Sequence, residues 1–482
     1  MLTTHMHTMT PIMNGLAMRG HQVTMLSDAS WLERHPNVTY VDHGANLSSP
    51  SDWPMFECVS KPHKFLSFMI SVCGEMAMKL FDDPVVMNLY ERRKEFDFVV
   101  FDFSAFIVMY PFGHEMTFAI LSSWTTTNVQ STNFGNLLNP AFVSSTISEY
   151  PQPYSTWDRF KNFFETIFFS MIFRYAIPLA SENLIHSRFP YLPSLAEVER
   201  NASLHFILTD AALDGAIPLL PLQIPLGAIA LLPSKPLPLE LEDFISGDTP
   251  VVYMSLGSLF GRSDLIPYEL KNIFYSVFAR LPYKIIMKFE EQPATEVPNL
   301  LIKKWLPQVD ILAHGNVKAF ISHGGLNSVY EAVFHGVPIV GLPINVDHTG
   351  RIDRLHNDGL GIKLTWDTLT EDALFDAIVE VVSNASYREK MEVKSRQFQD
   401  QRESPLDRAI YWTEYVARHA GAPHLQSPAK HLGWVQLLHL DLLALLLVLA
   451  YVIFKIFMWI FRNLWQKCAK LCRRFGGKHK KQ

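Results

Sequence analysis

Cysteine is nearly absent from this chain, with four in 482 residues, too few for a disulfide framework. Charge is scarce as well. Asp, Glu, Lys and Arg make up 18% of the residues and leave a net charge of −5, which argues against nucleic acid as the main partner. No internal repeat is read, so solenoid arrays drop out. Nothing ahead of His5 pairs a charged stretch with an apolar run, so no signal peptide is read there. What is present is greasy: 48% hydrophobic and 12% aromatic residues exclude a disordered chain. The length exceeds one typical core, and two soluble domains are expected.

The most informative stretch runs from Trp305 to Arg354. Its middle reads as strand, turn, helix, strand. Val317 to Ser322 is a short apolar run with β-branched residues, the pattern of a buried strand. His323-Gly324-Gly325 breaks it, since glycine tolerates a sharp turn and lets a ligand approach the backbone. Asn327 to His335 has helical spacing, with Val329, Ala332 and Val333 on one side and Gly336 as the stop. Val337 to Leu342 is the next strand. A helix opened by glycine presents free N–H groups and the positive end of its dipole, which suits a diphosphate. Asn327 and Glu331 lie four apart and share a helix face, and a carboxylate there can take both hydroxyls of a ribose. A bare His-Gly-Gly is equally an ordinary turn. The flanking residues decide: Trp305 and Gln308 stand upstream, and Asp347-His348 follows the second strand.

This set resembles the signature of the UDP-glycosyltransferases, specifically the animal UDP-glucuronosyltransferase type. The resemblance implies two Rossmann-like α/β domains facing a cleft (the GT-B arrangement) with a C-terminal transmembrane helix. It gives Trp305 the uracil, Gln308 and Glu331 the base and ribose, and His323, Gly325 and Asn327 the diphosphate, with Ser328 also among the UDP-sugar-binding residues. Asp347 and His348 take the sugar, and Ser258, in a second strand-to-loop turn, lies near the donor phosphates. The family's usual pair is Asp-Gln, so Asp347-His348 is a departure. A neutral imidazole offers one donor and one acceptor in a different geometry from glutamine, whereas a protonated His348 would offer glucuronate a cation. The expected activity is inverting transfer of a sugar, glucuronate first, from a UDP-sugar to a hydroxyl or carboxyl of small lipophilic acceptors. A UDP-galactose or UDP-glucose transferase is the alternative, and a truncated, inactive UDP-sugar-binding partner is another. UDP-sugar is the co-substrate; no metal or further cofactor is needed.

By the same resemblance the catalytic histidine precedes the first helix, sixteen residues ahead of the histidine in Arg-Gly-His, which selects His5 and leaves His7 a bystander. Histidine is the usual general base near neutral pH when a carboxylate orients it. Phe96 to Phe101 is an apolar run interrupted by Asp97 and followed by an acidic residue, which fits such a carboxylate; the resemblance, which places the orienting aspartate at this spacing after a Phe-Asp pair, implies Asp102. The first strand and a signal peptide are expected to be missing from this domain, which would leave the placement of His5 loose.

The boundaries read as follows: 1–232, acceptor-binding Rossmann-like domain; 233–249, linker, after the proline-rich Leu231–Glu240; 250–400, UDP-sugar-binding Rossmann-like domain; 401–432, a closing helix returning to the first domain. An apolar span at 437–460 and a basic tail at 461–482 complete the chain. The tail implies a single-pass protein of the endoplasmic reticulum with its catalytic domains in the lumen, in contact with lipid and able to form homo- or hetero-oligomers with related enzymes. Lys161 to Tyr175, dense in Phe, reads first as core, and otherwise as a lipophilic lining or a membrane-facing helix.

Overall fold

Short runs of Val, Ile, Phe and Met become parallel strands wherever both sheet faces are covered, and they build two sheet regions here, the first split into two separate sheets. The computed structural model describes residues 3–27, 34–44, 62–122, 128–145, 148–257, 265–344 and 346–476. Its contacts divide into two units, Met1–Gln426 and Ser427–Gln482.

The first unit holds both regions. Strands β1 (Val23–Ser27) and β2 (Val38–Asp42) form a parallel pair. Strands β3 (Val99–Asp102), β4 (Phe118–Ser122), β5 (Leu204–Ile207) and β6 (Gln223–Pro225) form a parallel sheet in chain order. The N-terminal sheet is thus in two pieces. The second sheet has six parallel strands: β7 (Val251–Ser255), β8 (Lys284–Lys288), β9 (Leu300–Lys303), β10 (Val317–Ser322), β11 (Ile339–Gly341) and β12 (Gly361–Lys363), ordered β12-β11-β10-β7-β8-β9. The chain moves outwards from β7 to β9, then returns to the other side of β7. That reversal makes the β7/β10 boundary a topological switch point, where open α/β sheets bind ligands at the carboxyl ends of their strands. β7 is buried along its whole length, as a central strand must be.

The helix Pro405–Arg418 leaves the second sheet's half and lies against the N-terminal helix. Arg19 donates to Asp407 at 3.1 Å, and His21 meets Glu414 at 3.1 Å.

Three expectations need correction here. His5 does not precede the first helix; the helix runs Thr3–Met18 and includes it. Pro11 lies inside and has no N–H to donate to the carbonyl one turn back. The turn ahead of it is held instead by hydroxyls, Thr8 to His5 O at 2.7 Å and Thr10 to Met6 O at 2.8 Å, and by buried Met6, Met9 and Ile12. Second, the Phe-rich run is not core: it belongs to one long helix, Thr156–Arg188, whose rings are largely exposed. Third, the C-terminal helix is longer than expected and starts later. The second unit contains Leu440–Gly476, continuous into the basic tail, and it is preceded by a break at His439, where φ is +54°.

Candidate active site

The switch point brings two loops together. β7 and β10 pair in register at Ser255 and Ser322, so the residues that follow each are neighbours. Gly257, at φ +82°, lies against the His323 ring, and a Cβ there would sit 2.8 Å from it. A Cβ on Gly325 would come within 2.5 Å of the same imidazole. Both glycines are demanded by packing, and Gly257 also by its left-handed backbone. The helix Leu326–Phe334 begins at Gly325 with no side-chain cap. Among the described residues its first N–H groups are thus not closed by a side chain at the cap, a geometry able to receive an anion.

Beneath that terminus is a polar cluster. Gln308 donates to Ser328 Oγ at 3.1 Å and to Glu331 at 2.5 Å, and its carbonyl accepts from Tyr253 OH at 3.1 Å. Burial pushes the Glu331 carboxyl up to about 7, against the opposing pull of Gln308 and of the Lys288 ammonium. Asn327 is half-buried one residue into the helix. Trp305, in the bend between β9 and the helix Gln308–Ala313, is 71% exposed.

Asp347 and His348 open the helix Val346–Asn357. Arg351, one turn on, donates to Asp347 at 3.2 Å and to the Gly324 carbonyl at 2.5 Å. Burial pushes Asp347 up, but His348 and Arg351 outweigh it and hold the carboxyl below its ordinary value. His348 is buried and stands edge-on to His323, centroids 4.8 Å apart. Burial lowers its pKa to about 4 despite Asp347, with Arg351 adding to the effect. A shift in that direction favours the neutral imidazole at neutral pH over the cation that a protonated His348 would supply. His323 is likewise held neutral, first by burial and then by His348.

Across the cleft His5 and Asp102 meet. Asp102 ends β3, is 1% exposed, and caps the following helix by accepting from Ser104 N at 2.9 Å. Its carboxylate holds His5 Nδ1 at 2.9–3.0 Å. Burial works against a charged imidazole, but the charge and hydrogen bond of Asp102 overcome it, and the His5 pKa is raised. Asp347 adds to that rise from the opposite half. The expected looseness of His5 is not seen, because a capped, buried carboxylate fixes the ring. Ser258 lies outside the described residues.

A profile of the UDPGT family, UDP-glucoronosyl and UDP-glucosyl transferase, matches residues 1–482. The chain belongs to this family. It is a UDP-glycosyltransferase, and it shares 32% identity over 446 residues with UDP-glucosyltransferase 2 of Dactylopius coccus, covering 91% of this chain and 86% of that one. UDP-glucuronosyltransferase 2B7 of Homo sapiens is 29% identical over 516 residues, 99% of this chain and 93% of its own. The 2-hydroxyacylsphingosine 1-beta-galactosyltransferase of Rattus norvegicus is 35% identical over 295 residues, 60% of this chain and 54% of its own. CalG4, the calicheamicin glycosyltransferase, superposes with a TM-score of 0.57 at 17% identity, over 86% of this chain and 96% of CalG4. That likeness gives the glycosyltransferase its GT-B fold, two Rossmann-like domains with parallel sheets.

Two residues of the UDP-glycosyltransferase's cleft were missed from sequence. Lys288 ends β8; the pKa of His7 in the N-terminal helix is lowered by burial first and then by the Lys288 charge, which also acts on Glu331. Arg351 ties Asp347 to the glycine turn. The signals were there: a lysine at the carboxyl end of a buried strand, and an arginine four residues after an aspartate.

Proposed function

We propose that the enzyme transfers a neutral hexose, glucose or galactose, from its UDP-sugar to a hydroxyl of a small lipophilic acceptor, with inversion. The observation that carries the choice of donor is His348. Its imidazole is buried, and burial lowers its pKa to about 4, so beside Asp347 it meets the sugar as a neutral polar ring with no cation for a uronate. In this reading Trp305 stacks on uracil, Gln308 and Glu331 serve the base and ribose, and the N–H groups after Gly325 receive the diphosphate. His323, Asn327 and Ser328 complete that cradle, with Ser258 assigned to the donor phosphates by family resemblance.

His5 takes the acceptor proton on Nε2 while Nδ1–H donates to Asp102, which steadies the imidazolium. The acceptor oxygen bonds to the anomeric carbon from the side opposite UDP. The anomeric carbon–phosphate oxygen bond breaks, and UDP leaves with the electron pair. Charge growing on UDP is met by helix N–H groups and by a neutral His323 that donates a hydrogen bond.

A second reading, UDP-glucuronate as donor, is favoured by Arg351, a guanidinium already in the site. Its ion pair with Asp347 weighs against it. The basic residues after the apolar helix support a cytosolic tail with the catalytic unit lumenal, in the endoplasmic reticulum. Detoxification of lipophiles is the role such an activity fits.

Membranes carrying the full chain, offered UDP-glucose, UDP-galactose and UDP-glucuronate in turn, test the donor. Transfer from a neutral UDP-hexose, exceeding that from UDP-glucuronate by about tenfold or more, is expected. A preference for UDP-glucuronate overturns the assignment of His348. UDP binding with no transfer from any donor leaves a UDP-sugar-binding partner instead.

A further inference from the structure

The helix Val346–Asn357 of the donor half is used at one end by the chemistry, where Asp347 and His348 stand in its first turn. Its other end reaches the half that carries His5. The point of attachment is Glu149, in the loop between β4 and β5. Arg354 donates to the Glu149 carboxylate at 2.7 Å, and Asn357 donates to the Glu149 carbonyl at 3.4 Å. The N–H of Glu149 donates in turn to the Asp353 carboxylate. Three residues of a single helix turn thus clasp one residue of the opposite half.

Both sides of the clasp are prepared for it. On its own loop the Glu149 carboxylate also accepts from Ser144 Oγ and, at 3.4 Å, from Tyr154 OH. Its side chain is 9% exposed, so the pair is shielded and removing one charge strands the other. Arg354 lies against Gly215, where φ is +75° and a Cβ would stand 3.1 Å from Nη1. Glycine leaves the guanidinium its place there. Burial works against that cation, and the charges of Glu149 and then Asp214 oppose the effect. Other bonds cross between the halves, Tyr330 to Leu208 O and Lys394 to Ala212 O. They start from the helices Leu326–Phe334 and Ala385–Gln399, which carry neither Asp347 nor His348.

We propose that Arg354 and Glu149 are positioning residues: their ion pair sets the helix Val346–Asn357 against the half that carries His5, and so holds the sugar's anomeric carbon in line with the acceptor oxygen. The inference rests on Asp347 and His348 holding the sugar, as proposed above. Arg354 lies two turns on from Asp347, ~10 Å along one rigid element. At the Asp347 end the base is near, since the Asp347 charge reaches His5 across the cleft. Fixing one end of the helix therefore fixes the other relative to the base. The nucleotide's assigned partners Trp305, Gln308 and Glu331 stand on other elements of the donor half, so UDP binding does not need the clasp. A displacement of about an ångström between reacting atoms costs up to roughly a hundredfold in rate, so a loosened clasp acts on kcat.

The test uses the full chain and whichever of UDP-glucose, UDP-galactose and UDP-glucuronate it turns over best, with kcat and KM from transfer and UDP affinity from calorimetry. Arg354→Met and Glu149→Gln remove the charge from one side or the other. Each is expected to lower kcat about tenfold or more while UDP affinity stays within a factor of about two. The double variant is expected to be no worse than either single one, as for two residues acting through one contact. Arg354→Lys, which keeps a cation, is expected to recover at least about a third of the unaltered kcat. Tyr330→Phe, which cuts a cross-half bond from another helix, is expected to keep kcat within a factor of about two. Full kcat in Arg354→Met or Glu149→Gln overturns the proposal. So does a loss of kcat in Tyr330→Phe equal to theirs, which would make the pair general scaffolding. The result is read from whichever of the two charge variants still binds UDP, and loss of UDP binding in both overturns the proposal as well. Asp347→Asn tests the underlying reading apart from this one. Transfer that survives it removes the sugar from Asp347 and takes the proposal with it, whereas kcat lost there but kept in Arg354→Met overturns the clasp alone.

Discussion

The two halves of the cleft are built differently. The donor half takes most of its polar groups from Trp305 to Arg351, joined by Tyr253 and Lys288 on earlier strands of one continuous six-stranded sheet. The base half joins His5 to a carboxylate 97 residues away, above a sheet split into two pieces. The lesson concerns where tolerance lies. A site made by several strand-to-helix turns on one sheet is set largely by local geometry, whereas a site made by one distant pair stands or falls with that contact.

The sharpest way to break this comparison is at the pair. His5→Ala is expected to lower kcat by roughly 10²–10⁴-fold, the usual scale of general base catalysis, while UDP affinity measured by calorimetry stays within a factor of about two. Asp102→Asn keeps the cap but removes the charge, and is expected to cost nearly as much, with a lower pKa in the pH–rate profile. Equal losses of UDP affinity in these variants would show that the halves are not separable.

Next in size is the donor half. Trp305→Ala is expected to weaken UDP binding by about 1–3 kcal/mol, the value of a base stacked on an aromatic ring, with kcat at saturating donor little changed. An unaltered Kd would remove the indole from the site.

The third prediction concerns pH. Because burial raises Glu331 to about 7, its carboxylate, the form that accepts from a ribose diol, is populated above that value and lost as pH falls through it. UDP affinity is therefore expected to drop several-fold between about pH 8 and 6, and Glu331→Gln should flatten the curve. His5, with its raised pKa, must also be deprotonated to act. The acid limb of kcat/KM should thus persist in the Glu331→Gln variant while the limb of UDP binding disappears.

The smallest expected effect lies where the halves touch. Tyr330, on the donor helix, donates to the Leu208 carbonyl of the other half at 2.8 Å. Tyr330→Phe should reduce stability to denaturant by about 1–2 kcal/mol and shift KM for donor only slightly.

Much of this architecture was legible beforehand. The β10–turn–helix unit was readable because its requirements are local: a buried strand needs an apolar run, the bend needs Gly324 and Gly325, and the helix needs Val329, Ala332 and Val333 on one face. The start of the first helix was misread by several residues: the sequence puts it after His7, whereas the helix begins at Thr3, with the turn ahead of Pro11 held by Thr8 and Thr10. The Phe-rich helix was misread more seriously. Apolar spacing reports that a face avoids water, and core, partner and lipid all satisfy it alike.

By itself, the sequence determined which residues are available for holding a nucleotide and in what order along the chain, because glycine turns, strand runs and helix spacing act over a few residues. Only tertiary structure decided that burial favours a neutral His348, that Asp102 orients His5, and that the rings from Trp157 to Tyr175 face outwards. Each of these depends on burial or on a contact between distant segments, and dielectric surroundings and long-range proximity exist only once the chain has packed.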